Sequence, residues 1–202
     1  MRRSREDTAE TRRRILEVAS RLFRSRGIAS VSVADVMGEL GLTVGGFYRH
    51  FASKDALVAE AIEAASLETT SRTAEAAASS PRRAPVDSYL SRFHVEHPEM
   101  GCPVAALCSE MAHQTPASRE AFSRALERLL GMVGRVAPGG SKRARERQLR
   151  AAAAAVGAVV LARATTNTAL ADELLRAVRN ELARGSVRGS APRSGARRAA
   201  PV

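Results

Sequence analysis

Apolar residues recur at helical spacing from early in this chain. Ile15, Leu16, Ala19, Leu22 and Phe23 fall at i, i+1, i+4, i+7 and i+8, one face of a helix with a 3.6-residue period. Thr8 or Thr11 can start that helix, and Gly27 stops it as a glycine just past a helix end does. After a short connection at 30–32 a second helix is expected over 33–40, packing through Ala34, Val36 and Leu40, and Gly41 makes a turn. Thr43 is placed to cap a third helix running through residue 51. Ser53 caps a fourth, with Asp55 in its first turn where the helix dipole favours an anion.

The fourth helix is long and its apolar stripe is loose (Leu57, Ala61, Ala64, Ala65, Leu67). Residues 79–85, SSPRRAP, read as a linker. A helix over 86–95 puts Tyr89, Leu90 and Phe93 on one side. Pro103 suits the first position of a helix ending near His113, and Pro116 that of another. The latter carries a clear apolar face of Phe122, Ala125, Leu126, Leu129, Met132 and Val133. After the APGGS break, helices are expected over about 142–165 and 170–184, the second with Leu174, Leu175, Val178 and Leu182. From Gly185 on, Gly, Ser, Pro and Arg dominate and predict a disordered basic tail. The pattern yields about nine helices and an all-α fold, since β-branched runs bounded by turn signals are scarce.

Composition narrows the class. The chain has 202 residues, 45% of them hydrophobic but only 3% aromatic and none Trp, so Ala, Leu, Val and Ile must build the core. The net charge is +11, with Arg2, Arg3, Arg5, Arg12, Arg13 and Arg14 near the start and Arg188, Arg193, Arg197 and Arg198 near the end. Such a balance fits a polyanionic partner. A solvated Arg12–Arg14 face and a bias toward Arg and Ala are the plainer alternatives. Two cysteines, Cys102 and Cys108, make neither a disulfide framework nor a metal pair. The longest apolar run, 151–162, is too short to span a bilayer, and the start lacks an apolar signal segment, so a cytoplasmic protein is expected. No nucleophile elbow, metal-ligand cluster, phosphate-binding glycine loop or paired-carboxylate arrangement is evident. An enzyme is therefore not expected, nor a metal or cofactor.

Two short helices joined by a glycine turn form a helix-turn-helix, whose second helix is offered to a DNA major groove. Gly45 and Gly46 inside that helix cost up to about 1 kcal/mol each against Ala, which points to close backbone approach by DNA or by another helix. The stretch ELGLTVGGFYRHFASKDAL, preceded by TRRRILEVASRLFRSRGIASVSV, closely resembles the DNA-binding domain of TetR/AcrR-type regulators over residues 8–65. The resemblance implies backbone contacts from Thr43, Tyr48 and His50 and a phosphate contact from Lys54. It places Val44, Gly45 and Gly46 where base edges are approached, although many relatives carry a polar residue in place of Val44. Arg49 faces phosphate or base, and Ser32 either caps the second helix or meets a phosphate. Phe47 and Phe51 read as core.

The same resemblance, weaker in GCPVAALCSEM and in VGAVVLARATTN with ELLRAVR, implies a C-terminal domain that binds a small molecule and dimerises through the last two helices (142–165 and 170–184). The organisation expected is a basic arm at 1–7, a helix-turn-helix domain at 8–52 with its recognition helix at 43–51, a ligand-binding and dimerisation domain at 53–184, and the tail at 185–202. Candidate pocket residues are Phe93, His97, Met100, Cys102, Met111, Phe122, Met132 and Asn167; ordinary core packing is the competing reading for each. The function implied is a ligand-responsive homodimeric repressor, bound to a palindromic double-stranded DNA operator and released by an effector. The competing regulator is a thiol sensor using Cys102 or Cys108, since His94, His97 and His113 lie nearby in sequence. An architectural protein that coats DNA through its basic tail is a further reading.

Overall fold

The computed structural model describes residues 5–79, 84–136 and 139–188. It is all-helical, with no strand among these residues. The order is α1 (Arg5–Arg26), α2 (Val33–Glu39), α3 (Val44–Phe47), α4 (Lys54–Ser79), α5 (Ala84–Tyr89), α6 (Arg92–Glu96), α7 (Pro103–Leu107), α8 (Pro116–Val136), α9 (Lys142–Ala164) and α10 (Thr168–Arg188). Single 3-10 turns lie at Pro98–Met100 and Met111–His113.

The local signals act mostly where expected. Gly27 and Gly41 take left-handed φ of +83° and +65°, which a Cβ would oppose. Ser32 forms a capping box: its hydroxyl accepts the Asp35 N–H while the Asp35 carboxylate accepts the Ser32 N–H. Ser53 accepts the Ala56 N–H at the start of α4.

Several boundaries differ from the sequence reading. α1 begins at Arg5, ahead of both threonines, with Glu6 and Asp7 in its first turn; residues 1–4 of the expected arm lie outside the described residues. The expected helix over 86–95 is two, because Ser91 turns extended (φ −106°, ψ 156°) and caps α6 by accepting the His94 N–H. The helix starting at Pro103 ends at Leu107, not near His113. α10 continues through Gly185 to Arg188, so residues 185–188 are helical where a disordered tail was expected; residues 189–202 lie outside the described residues, as do 80–83 of the linker and 137–138 of the break.

One hydrophobic core runs through the molecule. α1 packs on α4, α4 on α8, and α9 on α10. Helix α4 thus begins beside the helix-turn-helix and ends among the C-terminal helices, a length of about 39 Å at 1.5 Å per residue. Of the predicted face of α1, Ile15, Ala19, Leu22 and Phe23 are buried and Leu16 half-buried, with Val18 buried beside them. In α2 it is Val36 and Met37 that are buried, with Leu40 half-buried, whereas Ala34 is exposed. Leu126 of α8 also stays at the surface.

Polar contacts join the two halves. Arg24, 4% exposed, donates to the carbonyls of Ser20 and Gly101 and to Glu68 at 3.0 Å. Burial lowers its pKa and Glu68 opposes that shift. Glu110 accepts the backbone N–H groups of Ile28 and Ala29, in the α1–α2 connection.

Candidate nucleic-acid interface

The helix-turn-helix is built on two phenylalanines. Phe47, fully buried, stacks on Phe51 with ring centroids 5.6 Å apart, and both face the α1 and α4 core. This anchors the inner side of α3. The Tyr48 ring sits edge-on to Phe47 at 5.2 Å but remains 64% exposed, so the stack orients an aromatic at the surface.

The recognition segment is shorter than expected. α3 covers only Val44–Phe47, and residues 48–50 form a turn instead of completing a helix to 51. Two adjacent glycines weaken the helix, and burying both Phe47 and Phe51 bends the chain back into the core. Thr43 occupies the N-cap position but its side chain caps nothing, so its hydroxyl is not spent on the helix.

The outer side of this segment gathers most of the predicted contacts. Thr43, Val44, Gly45, Tyr48 and Arg49 are exposed, Gly46 and His50 half-buried. A Cβ at Gly45 would meet nothing within 4 Å, so the outer surface is open down to the backbone. At Gly46 a Cβ would touch Met37 at 3.7 Å, so that glycine faces α2. Ser32 is exposed, its hydroxyl shared with Asp35 at 2.6 Å in the capping box. Lys54 stands apart: its ammonium donates to the Ile28 carbonyl at 2.7 Å and ties α4 to the α1–α2 connection.

Arg12 carries a role that the sequence reading did not single out. Its guanidinium grips Glu60 of α4 at 2.6 and 2.8 Å, lies 4.5 Å from the Phe51 ring centroid, and donates to the His50 carbonyl. It thereby straps the end of the recognition segment to α1 and α4. A charged residue three positions ahead of Ile15, on the apolar stripe of α1, is the signal that could have found it. Arg13 pairs within its own helix with Glu10 and Glu17, and Arg14 is exposed.

The predicted pocket residues separate. Phe93, His97, Met100 and Cys102 line one cavity, with Thr69, Arg72 and the edges of Tyr89 and His94. Met132 lines a second, and Met111 is buried in the core. Phe122 packs against that core. Asn167 is exposed and accepts the Leu170 N–H at the start of α10. Beside the first cavity, buried His94 holds Tyr89 O at 2.7 Å through Nδ1 and accepts the Cys102 N–H at 3.0 Å through Nε2. Burial and three nearby arginines push its pKa down to about 4, so the ring is neutral and its tautomer fixed by these partners. Burial pushes the Cys102 thiol up, against thiolate formation, whereas Cys108 is exposed. Among the described residues no group of three or more His, Cys, Asp or Glu is placed to hold a metal, and no helix is long and apolar enough to cross a membrane.

Comparison with known proteins agrees with this geometry. The family described as "Bacterial regulatory proteins, tetR family" matches residues 15–61. The HTH-type transcriptional regulator TtgR of Pseudomonas putida is 43% identical over 58 residues, 29% of this chain and 28% of that protein. The chain thus matches under a third of the length of such relatives. Over the whole fold, a TetR-family regulator from Cytophaga hutchinsonii superposes with a TM-score of 0.71 at 22% identity, covering 91% of this chain and 98% of that one. A TetR regulator from Legionella pneumophila gives 0.72 at 16% identity over the same shares. Residues 15–61 thus match the tetR-family DNA-binding domain, and the described chain shares the all-helical fold of TetR-family regulators.

Proposed function

We propose that this protein is a transcriptional regulator that binds a palindromic DNA operator as a homodimer, represses from it, and leaves it when a small molecule enters the C-terminal domain. In this reading residues up to 52 form the DNA-binding unit, and α4–α10 the effector and dimerisation unit. The observation that carries it is the two-sided recognition segment. Phe47 and Phe51 fix it from within, while Thr43, Val44, Gly45, Tyr48 and Arg49 lie open on the outside. A hydroxyl, a phenol and a guanidinium around an open glycine suit phosphate contacts with close backbone approach, and Val44 suits a thymine methyl.

Dimerisation is supported by α9. Leu149, Ala153, Gly157 and Leu161 fall at i, i+4, i+8 and i+12, and Leu149 and Leu161 are 45% and 55% exposed around a small centre. Such a ridge packs against a copy of itself. Two-fold pairing would set the recognition segments about 34–36 Å apart, one turn of DNA.

The test is footprinting of the DNA upstream of the protein's own gene, with the wild type and Tyr48→Ala, alongside sedimentation. A protected near-palindrome that weakens in the variant, bound by a dimer, is the expected result. Salt-sensitive binding without sequence preference, or a monomer at working concentration, overturns the reading.

A further inference from the structure

Two cavities meet at Thr73 and Tyr89. They differ in character. The first, about 70 Å³, is walled by Val86, Leu90, Leu129 and Met132. A dry engineered cavity of about 150 Å³ holds benzene, so this one suits an alkyl tail of about three or four carbons. The second, about 150 Å³, presents Thr69, Arg72 and His97.

The polar cavity sits in a cationic neighbourhood. Arg24, Arg72 and Arg163 all act electrostatically on His94 at its edge. Two carboxylates answer them. Glu68 is shared between Arg24 and Arg72 at 3.0 and 3.3 Å, and Glu99 lies 3.0 Å from His97 Nδ1. Arg163 spends its donors on the carbonyls of His94 and Val95. Arg72 lines the cavity, and Arg24 and Arg163 stand behind it, so these three cations outnumber the two carboxylates Glu68 and Glu99 around it. The wall between the cavities also holds a buried Tyr89 hydroxyl beside the Cys102 thiol, with no hydrogen bond of ordinary geometry. A buried phenol whose nearest polar neighbour is a weakly bonding thiol gains a better partner when an acceptor atom enters the cavity.

We propose, resting on the effector-domain reading above, that the paired cavities bind a small amphipathic anion. The ligand is a short-chain carboxylate. Its head sits against Arg72 and the Tyr89 hydroxyl, and its tail enters the apolar side toward Leu129 and Met132. Size and charge select together: the apolar side is too small for a long acyl chain, and the cationic side disfavours an ammonium.

Calorimetric titration of the full-length protein near neutral pH with hexanoate, 1-hexanol and hexylammonium tests this. Hexanoate is expected to saturate one site per chain and to bind about tenfold or more tighter than the other two. Arg72→Gln should weaken hexanoate about tenfold and leave hexanol unchanged, Arg72→Lys should retain most of the affinity, and Tyr89→Phe should weaken hexanoate with the melting transition preserved. Equal binding of hexanol, preferential binding of hexylammonium, or no saturable hexanoate binding overturns the proposal. If the footprint on the palindrome persists in that case, only the ligand class has failed. If the footprint is also missing, the regulator reading has failed.

Discussion

Glu110 holds the backbone N–H of Ile28 with both carboxylate oxygens, at 2.9 and 3.1 Å. The same carboxylate accepts the next N–H, that of Ala29, at 3.1 Å. A side chain just past α7 thereby fixes the connection between α1 and α2. A carboxylate on amide donors is the stronger kind of hydrogen bond. Glu110→Ala should cost about 1–2 kcal/mol, read as a lower urea midpoint with unchanged slope. Hydrogen exchange at Ile28 and Ala29 should speed up more than elsewhere. A wild-type exchange pattern in the variant would show that the clamp carries no weight.

Two glycines should respond oppositely to the same substitution. Gly41 needs its left-handed φ of +65°, so Gly41→Ala should destabilise by about 1 kcal/mol despite open space around it. Gly45 sits in α3 with ordinary φ and no neighbour for a new Cβ, so Gly45→Ala should leave the fold intact or stabilise it by up to about 1 kcal/mol. On DNA the order reverses. On the proposed reading, Gly45→Ala should weaken operator binding by placing a methyl where the backbone would approach the duplex. Thermal melts and mobility shifts on the same samples check both halves. A variant that melts higher and binds as well as wild type would remove Gly45 from the interface.

His94 makes stability fall in acid. Its folded pKa is about 4 against an unfolded value near 6.5, so below the upper value the unfolded chain binds the extra proton. Stability from this residue is complete above pH 6.5 and is lost as pH falls toward 4. The shift corresponds to at most roughly 3 kcal/mol. Urea titrations between pH 7.5 and pH 4 should show that decline. His94→Gln should be less stable at neutral pH and show a flatter pH profile. An identical pH dependence in both proteins would place the titration elsewhere.

The cysteines should react unequally. Cys102 is buried with its thiol pushed up by desolvation, while Cys108 is exposed. Iodoacetamide on the native protein should label Cys108 and spare Cys102, with both labelled in denaturant. Rapid native labelling at Cys102 would overturn this order, and loss of DNA binding on labelling either cysteine would favour the thiol-sensing alternative.

The helix-turn-helix was legible because its signals are local. Ser32 capping Asp35, the left-handed Gly41, the α1 stripe from Ile15 to Phe23, and the buried pair Phe47 and Phe51 all act within a few residues. The end of the recognition segment was not. Whether residues 48–50 stay helical depends on Phe51 stacking under Phe47 and on Arg12 reaching in from α1. Of the eight candidate pocket residues, four share a cavity. Phe93, His97, Met100 and Cys102 meet around one cavity, but Asn167 and Phe122 do not line it. Apolar and polar residues on amphipathic helices carry the same periodicity whether they line a cavity or fill a core.

By itself, the sequence determined the all-α class, the Ser32 and Ser53 caps, the turn glycines and the helix-turn-helix, because helix hydrogen bonds and caps join residues three or four apart. Only the tertiary structure decided which charges hold the halves together. Arg24 meets the Gly101 carbonyl across 77 residues, and Glu110 meets Ile28 across 82. Neither partner is marked by its own neighbours in sequence. The pairing is set by how α1, α4 and α7 pack, and that packing is the collective result of the shared core.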